Sequence, residues 1–154
     1  MPECTLRAFV PADGEWLREW YRVDQPGMQL VMGTPIPTEA ECVTAFNAIF
    51  EAVGTGRTQF WMVDCDDEPL GFFVLTDIQP EHRAASVHIF IDPAQRRHSL
   101  RAAQAAEMAF TLAGFRRLGV ITRSRAAHAL AKRMGFRPPV AAVLTKNLTG
   151  DVEA

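Results

Sequence analysis

Apolar and polar positions recur with two different periods along the chain, and together they predict mixed secondary structure. Period-two patterns and β-branched apolar runs predict strands, at residues 5–9, 59–64, 70–76, 87–91, 119–122 and 140–148. Apolar spacings of three and four predict helices, which lie over residues 13–21, 38–53 and 125–134 and in an alanine-rich stretch that ends before Gly114. Hairpin-linked strands come first and a strand–helix–strand unit comes later, which predicts one α/β (α+β) domain with a mixed sheet.

Capping residues and chain breakers mark the boundaries of these elements. Thr38 and Glu41 form a capping-box pattern at the start of the second helix. Residues 25–37 contain three prolines and two glycines among apolar residues, which predicts a loop. Such a loop either packs against the core or forms the wall of a pocket. Pro138 and Pro139 predict a turn before the final strand.

The composition is that of an ordinary globular protein, with 48% hydrophobic and 22% charged residues. A net charge of −2 gives no overall field that favours nucleic acid or a membrane surface. The apolar runs are shorter than the roughly 20 residues of a membrane span, and the N-terminus lacks the apolar core of a secretory signal. Cys4, Cys42 and Cys65 are an odd number without a close pair. This argues against a disulfide framework or a metal site and suits a cytoplasmic protein.

The stretch from Ser86 to Ala113 carries the most specific chemical signal. A β-branched apolar strand ends at Asp92-Pro93, a cationic cluster follows, and the alanine-rich helix then begins. The first amide groups of a helix have no internal partners, so an anion can bind there. Residues 93–137 contain about ten Lys or Arg against one acid, Glu107. The pattern predicts either a site for a phosphate-bearing ligand or a solvated basic face.

Two segments resemble motifs of the GNAT acetyltransferase superfamily, whose members use acetyl-CoA. I-D-P-A-Q-R-R-H-S-L-R-A, residues 91–102, is similar to the cofactor motif, a strand followed by Arg/Gln-x-x-Gly-x-Gly/Ala. S-R-A-A-H-A-L-A-K-R-M-G-F-R, residues 124–137, resembles the family's Asn-x-x-Ala-x-x-Leu-Tyr segment and its Gly-Phe ending. The resemblance implies a single domain over residues 1–154, with a flexible tail at 149–154. It also implies a mostly antiparallel sheet of about six to seven strands with helices on both faces.

By the same resemblance, acetyl-CoA is the acyl donor and backbone amides in the turn hold its pyrophosphate. Aligning on Arg96 places Ser99 and Arg101 where the family has glycines, whereas aligning on Arg97 places Leu100 and Ala102 there. We favour the first register, because Leu100 then takes the apolar position between the glycines. Arg101 could obstruct the backbone or pair with phosphate. The implied cofactor-binding residues are Phe90, Ile91, Arg96, Arg97, His98, Ser99, Leu100 and Arg101.

The implied catalytic groups depart from the family pattern. Ser124 stands at the asparagine position and Ala131 at that of the tyrosine that often reprotonates the CoA thiolate, while Tyr21, the only tyrosine, lies in the first helix. Family members often place a base on the strand before the cofactor turn. His88 is therefore either the group that removes a proton from the acceptor or a histidine satisfied by hydrogen bonds. We predict His88 and Ser124 as catalytic residues.

Two functions fit these residues. The first is an acyl-CoA-dependent N-acyltransferase that transfers the acetyl group directly to an amine of a small molecule or peptide, because no cysteine has the setting of an activated nucleophile. The alternative is an inactive GNAT-like binding or assembly module, which the replaced glycines, asparagine and tyrosine favour. Trp16, Trp20 and Met32 either border an acceptor pocket or belong to the core. Residues 140–148 could pair between subunits in a homodimer or stay within one chain.

Overall fold

The computed structural model describes residues 3–121, 125–140 and 143–147. Its strands are β1 Cys4–Ala8, β2 Gln59–Cys65, β3 Glu68–Gln79, β4 Ala84–Ile91, β5 Arg117–Ile121, β6 Arg137–Val140 and β7 Val143–Asn147. Its helices are α1 Gly14–Val23, α2 Gln25–Met32, α3 Glu39–Gly54, α4 Ser99–Leu112 and α5 Arg125–Arg133. Short 3-10 turns lie at Pro11–Asp13, Pro80–His82 and Pro93–His98. Within the described ranges, none of the helices has the length and apolar character that crossing a membrane requires.

The strands form one sheet in the order β1-β2-β3-β4-β5-β7-β6. The neighbours β4 and β5 run parallel and are connected through α4, while the other described neighbours run antiparallel. β7 pairs with β5 and β6 of the same chain. The predicted fold class, a mixed and mostly antiparallel α/β sheet with helices, is confirmed.

Two hydrophobic cores cover the opposite faces of this sheet. One lies under α1, α2 and α3 and contains Trp20, Met28, Phe46, Phe60, Met62, Phe72 and Phe90. The other lies under α4 and α5 and contains Val63, Phe73, Leu75, Val87, Ile91, Ala106, Phe110, Phe115 and Ala131. Successive side chains of a strand point to opposite faces, so the neighbours Phe72 and Phe73 divide between the two cores. β4 divides in the same way and supplies side chains to both.

Residues 25–32, predicted as a loop, form the helix α2. Asp24 caps its start, because the carboxylate accepts a hydrogen bond from the Gly27 N–H at 3.1 Å. Pro26 lies in the first turn, where the missing N–H has no helical partner to lose. Gly33 then ends the helix with a left-handed φ of 71°. Of the residues that suggested a loop, Pro26, Gly27 and Gly33 lie at the two ends of a helix, whereas Pro35 and Pro37 follow it outside any described helix or strand.

Residues 143–147 of the predicted final strand, 140–148, form β7, while the predicted turn at Pro138 and Pro139 lies inside a separate strand, β6, that ends at Val140. β6 is the outermost strand of the sheet. An edge strand tolerates proline because one row of its backbone groups faces away from the ladder. The pattern therefore predicted β7 and missed that the segment with the two prolines is a strand.

The expectation that the cysteines form no disulfide is wrong. Cys4 and Cys65 are bonded between β1 and β2, and the strand register places them directly opposite each other. The Asp66 N–H donates to the Glu3 carbonyl beside them at 3.0 Å, which makes the cysteines a non-hydrogen-bonded pair, with their side chains close together. They are 61 residues apart in sequence, so only the sheet brings them together.

Candidate active site

The parallel strands β4 and β5 separate before β4 ends. Their register runs from Ala84↔Arg117 to Val87↔Val120, whereas β4 continues to Ile91. A cavity of about 320 Å³ lies beside this extension. Its walls come from α2, β4, β5, α5 and the start of α4, through Asp24, Pro26, Gly27, Leu30, Val31, Ile89, Phe90, Ile91, Arg96, Ser99, Ile121, Ala126, Ala127 and Leu130.

The extended end of β4 turns one backbone edge toward the separation. On the other edge, the Asp92 N–H donates to the Leu70 carbonyl of β3 at 2.8 Å. Backbone polar groups alternate between the two edges of a strand, so Ile89 and Ile91 direct their N–H and C=O groups toward the side of β5. An edge of this kind can hydrogen-bond an extended ligand much as it would bind another strand.

Asp92 fixes the point where β4 ends and the cationic turn begins. Its carboxylate accepts a hydrogen bond from the Ala94 N–H at 2.9 Å and another from the indole N–H of Trp20 at 3.2 Å. Trp20 is fully buried in the core under α1, α2 and α3. The buried indole of Trp20 in α1 thereby fixes the carboxylate of Asp92, where the turn begins. Its burial also makes the indole a core group rather than an exposed border of an acceptor pocket.

The turn Pro93–His98 presents basic side chains beside the cavity. The Arg96 side chain is 53% exposed, lines the cavity and lies with Nη2 3.4 Å from Asp24 Oδ2. Arg97 is exposed and donates to the Ala94 carbonyl at 3.0 Å. Of the described residues, neither Arg97 nor His98 belongs to the cavity lining. Arg96 is thus the residue of the predicted basic cluster that faces the cavity.

The start of α4 lies at the same wall. This helix has no side-chain hydrogen bond at its cap residue, His98. Ser99 is half-buried and lines the cavity, while Leu100 and Arg101 are half-buried and are absent from the described lining. In the register that we favour, a small residue therefore stands at the first glycine position. The Arg101 side chain, which could have obstructed the turn, is not among the described walls.

The predicted catalytic residues are not brought together by the described part of the structure. His88 lies on β4 opposite Val74, half-buried, with Nε2 3.0 Å from Thr76 Oγ1. It is on the same face as Phe90 but is not one of the described lining residues. Ser124 lies outside the residues that the structure describes.

The family's tyrosine position and the single tyrosine of the chain both have structural roles. Ala131, at the family's tyrosine position, is 2% exposed and belongs to the core under α4 and α5. The Tyr21 hydroxyl is buried and donates to the Ile36 carbonyl at 2.6 Å. Tyr21 thus ties the segment after α2 to α1, and its hydroxyl is engaged in that contact.

One charged residue of the cavity was missed in the sequence. Asp24 lines the cavity through the short connection between α1 and α2. The signal was available as an aspartate three residues before a glycine and two before a proline, a helix-start pattern. The apolar residues of α2 have both roles predicted for this segment, pocket wall and core. Leu30 and Val31 line the cavity, and Met28 is buried in the core.

Comparisons with known proteins show the family and the fold of this chain. Residues 15–136 match the family model described as acetyltransferase (GNAT) family. Comparison with curated proteins gave no match. Among solved structures, the acetyl transferase of Salmonella typhimurium that modifies the N-terminal serine of the 50S ribosomal subunit protein L7/L12 has a TM-score of 0.76 at 16% identity, covering 94% of this chain and 95% of that one.

Two further structures share the fold. The spermidine N-acetyltransferase of Vibrio cholerae, in complex with CoA and spermine, has a TM-score of 0.77 at 15% identity and 96% coverage of both chains. A probable acetyltransferase (GNAT family) of Chromobacterium violaceum has a TM-score of 0.73 at 21% identity, with 95% and 88% coverage. At these identities the likeness shows the fold. The matched model spans most of the sequence, from α1 to Phe136, and confirms the resemblance read from the motifs: the chain belongs to the acetyltransferase (GNAT) family.

Proposed function

We propose that this protein is an N-acetyltransferase that transfers the acetyl group of acetyl-CoA directly to an amine of a small molecule or peptide. The family to which the chain belongs uses acetyl-CoA. The observation that carries the proposal is the separation of β4 from β5, with a cavity at the separation and Arg96 beside it. When bound, acetyl-CoA supplies an activated thioester as the acetyl source.

The residues around the cavity fit such a molecule. The backbone edge at Ile89 and Ile91 suits the amide groups of an extended pantetheine arm. Arg96 suits its phosphate groups, since a guanidinium binds anions, and the positive end of the α4 dipole lies at the same wall. Ser99, the lining residue at the helix start, leaves more room for close approach than a larger side chain would. We therefore propose Phe90, Ile91, Arg96 and Ser99 as the central cofactor contacts, with Arg97, His98, Leu100 and Arg101 around them.

His88 is the proposed acceptor of the proton that the amine loses. It precedes Phe90 by two residues on the same face of β4, and its contact with Thr76 Oγ1 fixes the ring. A water between the ring and the amine would bridge the distance from the cavity wall. Ser124, which lies outside the described residues, is proposed as a catalytic hydrogen-bond donor.

The proposed acceptor class is a primary amine. Two proteins of the same fold are named for such acceptors, the N-terminal serine of a ribosomal protein in one case and spermidine in the other. Direct transfer needs no covalent acetyl-enzyme. This agrees with the burial of Cys42 and with the bonding of Cys4 to Cys65. The remaining choice is between a small polyamine-like acceptor and a peptide end.

Acetyl-CoA binding tests the proposal directly. Titration calorimetry should show binding, and ligand at 100 times Kd should add about 2.7 kcal/mol to the free energy of unfolding. Arg96→Ala should weaken binding more at low salt than at high salt, whereas Arg57→Ala, at an exposed site after α3, should not. Absence of binding at millimolar acetyl-CoA would contradict the proposal.

Turnover separates the enzyme from the inactive module. Release of the CoA thiol should be measured with a panel of peptides and polyamines in the presence of acetyl-CoA. Release that depends on the amine supports the acetyltransferase. Binding of acetyl-CoA without release for any amine in the panel would favour the binding module instead.

A further inference from the structure

One ion pair crosses the cavity from α2 to the cationic turn. Asp24 is the only acidic residue and Arg96 the only basic residue among the described residues that line the cavity. Nη2 of Arg96 lies 3.4 Å from Oδ2 of Asp24. The Asp24 side chain is 18% exposed and the Arg96 side chain 53% exposed. The pair is therefore partly screened by solvent, and its partners can exchange.

The carboxylate is the fixed partner of this pair. Its Oδ1 accepts the Gly27 N–H at 3.1 Å and so caps α2. A Cβ at position 27 would collide with the Asp24 side chain, so the glycine leaves space for the carboxylate to fold over the helix start. Arg96, by contrast, reaches the pair through a long, flexible side chain from an exposed turn. If either partner moves, it is the guanidinium.

We propose that Asp24 competes with the phosphate groups of acetyl-CoA for Arg96. This inference rests on the proposed function, because it takes Arg96 as a phosphate ligand. In the free protein, Asp24 holds the guanidinium against α2. When phosphate is present, Arg96 turns toward it and the contact with Asp24 is broken. Cofactor binding thereby removes one tie between α2 and the turn, on the side of the cavity that α2 closes.

The exchange follows from the geometry of the guanidinium. Nη2 is the guanidinium nitrogen that faces Asp24, and an N–H directed at the carboxylate cannot at the same time be directed at a phosphate. Part of the binding free energy is therefore spent on breaking the ion pair. An ion pair this exposed contributes a small free energy, so its removal should tighten CoA binding by about two- to fivefold.

A double-mutant cycle on CoA affinity tests the competition. Titration calorimetry with CoA is carried out on the full chain, on Asp24→Asn, on Arg96→Ala and on the double variant. Asparagine keeps a capping oxygen for α2 and removes only the charge. Asp24→Asn should lower the Kd about two- to fivefold when Arg96 is present, and should leave the Kd unchanged in the Arg96→Ala background. Urea unfolding of each variant checks that the fold is intact.

The controls distinguish competition from general charge effects. Asp67→Asn removes the same charge at the exposed β2–β3 turn and should not change the Kd. The tightening by Asp24→Asn should shrink as salt rises, because screening weakens the competing pair.

Three outcomes would overturn the inference. Equal tightening with and without Arg96 would show simple repulsion between Asp24 and the ligand. Weaker binding by Asp24→Asn would show that Asp24 preorganises Arg96 for phosphate rather than competing. No CoA binding by the natural chain would overturn both this inference and the proposed function, whereas binding with an unchanged Asp24→Asn affinity would overturn the inference alone.

Discussion

At the scale of single residues, Arg7 organises the edge of the sheet that receives α1. Its guanidinium donates to both carboxylate oxygens of Asp13, at 2.7 and 2.8 Å, and Nε donates to Asp64 at 2.6 Å. Asp13 is 4% exposed and also accepts the Val10 N–H at 2.8 Å. The cluster joins β1, β2 and the turn that begins α1. Because α1 carries Trp20, which holds Asp92, these contacts support the site from a distance.

The cluster makes stability depend on pH. Burial alone would raise the pKa of Asp13, but hydrogen bonds from Arg7 and the Val10 N–H outweigh it, so the pKa lies below its ordinary value of 3.8. The carboxylate therefore stabilises the fold above about pH 4, and this stability is lost as pH falls through the lower folded-state pKa. Asp13→Asn should cost about 1–3 kcal/mol at pH 7 and flatten the pH dependence of urea unfolding below about pH 4. Parallel profiles for the variant and the natural chain would contradict the assignment.

His88 is the residue on which the proposed chemistry depends most. His88→Gln should lower kcat/KM for the amine by about 100-fold, the ordinary size of a general-base contribution, and should remove the acidic limb of its pH profile. The Kd of acetyl-CoA should stay within twofold, because the ring is not in the described cavity wall.

Thr76→Val serves as the matched control for this variant. It removes the hydroxyl that contacts His88 Nε2 and leaves the imidazole in place. A smaller loss of kcat/KM with the acidic limb retained is expected. Full activity of His88→Gln would remove His88 from the mechanism, and a loss confined to Thr76→Val would assign the effect to Thr76 itself.

At the scale of elements, the sequence shows a segment's periodicity more readily than its ends. The periodic pattern located α3, α4 and α5 because their apolar stripes repeat over several turns. α2 was missed because it is short and its breakers stand in the first turn and at the end, where a helix tolerates them. β6 was missed because prolines are compatible with an edge strand, and no local signal reveals which strand is at the edge.

Some residues of the candidate site could be predicted from a local motif, whereas another depends on contacts between segments that are distant in sequence. Phe90, Ile91, Arg96 and Ser99 were predicted from one continuous motif, and all four line the cavity. Asp24 is 72 residues from Arg96 in sequence, so its place opposite the turn depends on how α2 packs against β4. The cofactor motif is continuous in sequence and can be recognised there. Asp24, which pairs with Arg96, is brought close to it only by the tertiary structure.

Gly71 shows how neighbouring strands shape this site. A Cβ at this position of β3 would collide with the Phe90 carbonyl and lie 3.0 Å from the Cα of Ile91. Gly71→Ala should therefore push the end of β4 toward the cavity, destabilise the protein by about 1–3 kcal/mol and weaken acetyl-CoA binding. Urea unfolding and calorimetry measure the two effects. Gly54→Ala is the matched control, since no atom lies within 4 Å of its added Cβ, and unchanged behaviour of Gly71→Ala would show that β3 yields instead.

At the scale of the whole molecule, the site lies where both cores meet the separation of the sheet. Phe90 belongs to the core under α1, α2 and α3, and Ile91 to the core under α4 and α5. Both cores therefore hold the strand that borders the cavity. The opposite edge of the sheet, β1, is three strands away and contributes no described residue to the cavity wall. Stability and ligand binding can thus be separated by changes at that edge.

The disulfide between Cys4 and Cys65 tests this separation. It closes a chain segment with a sequence separation of 61, so it restricts the unfolded chain and should stabilise the protein by about 2–4 kcal/mol. Reduction with dithiothreitol, or Cys4→Ala, should lower the urea midpoint by the corresponding amount.

The reductant should have no further effect on Cys4→Ala, which controls for its action on Cys42. The Kd of acetyl-CoA should stay within twofold, because neither cysteine is among the described residues that line the cavity. A large loss of affinity on reduction would show that the edge strand is coupled to the cavity through the sheet. An unchanged urea midpoint would show that the bond restricts little of the unfolded chain.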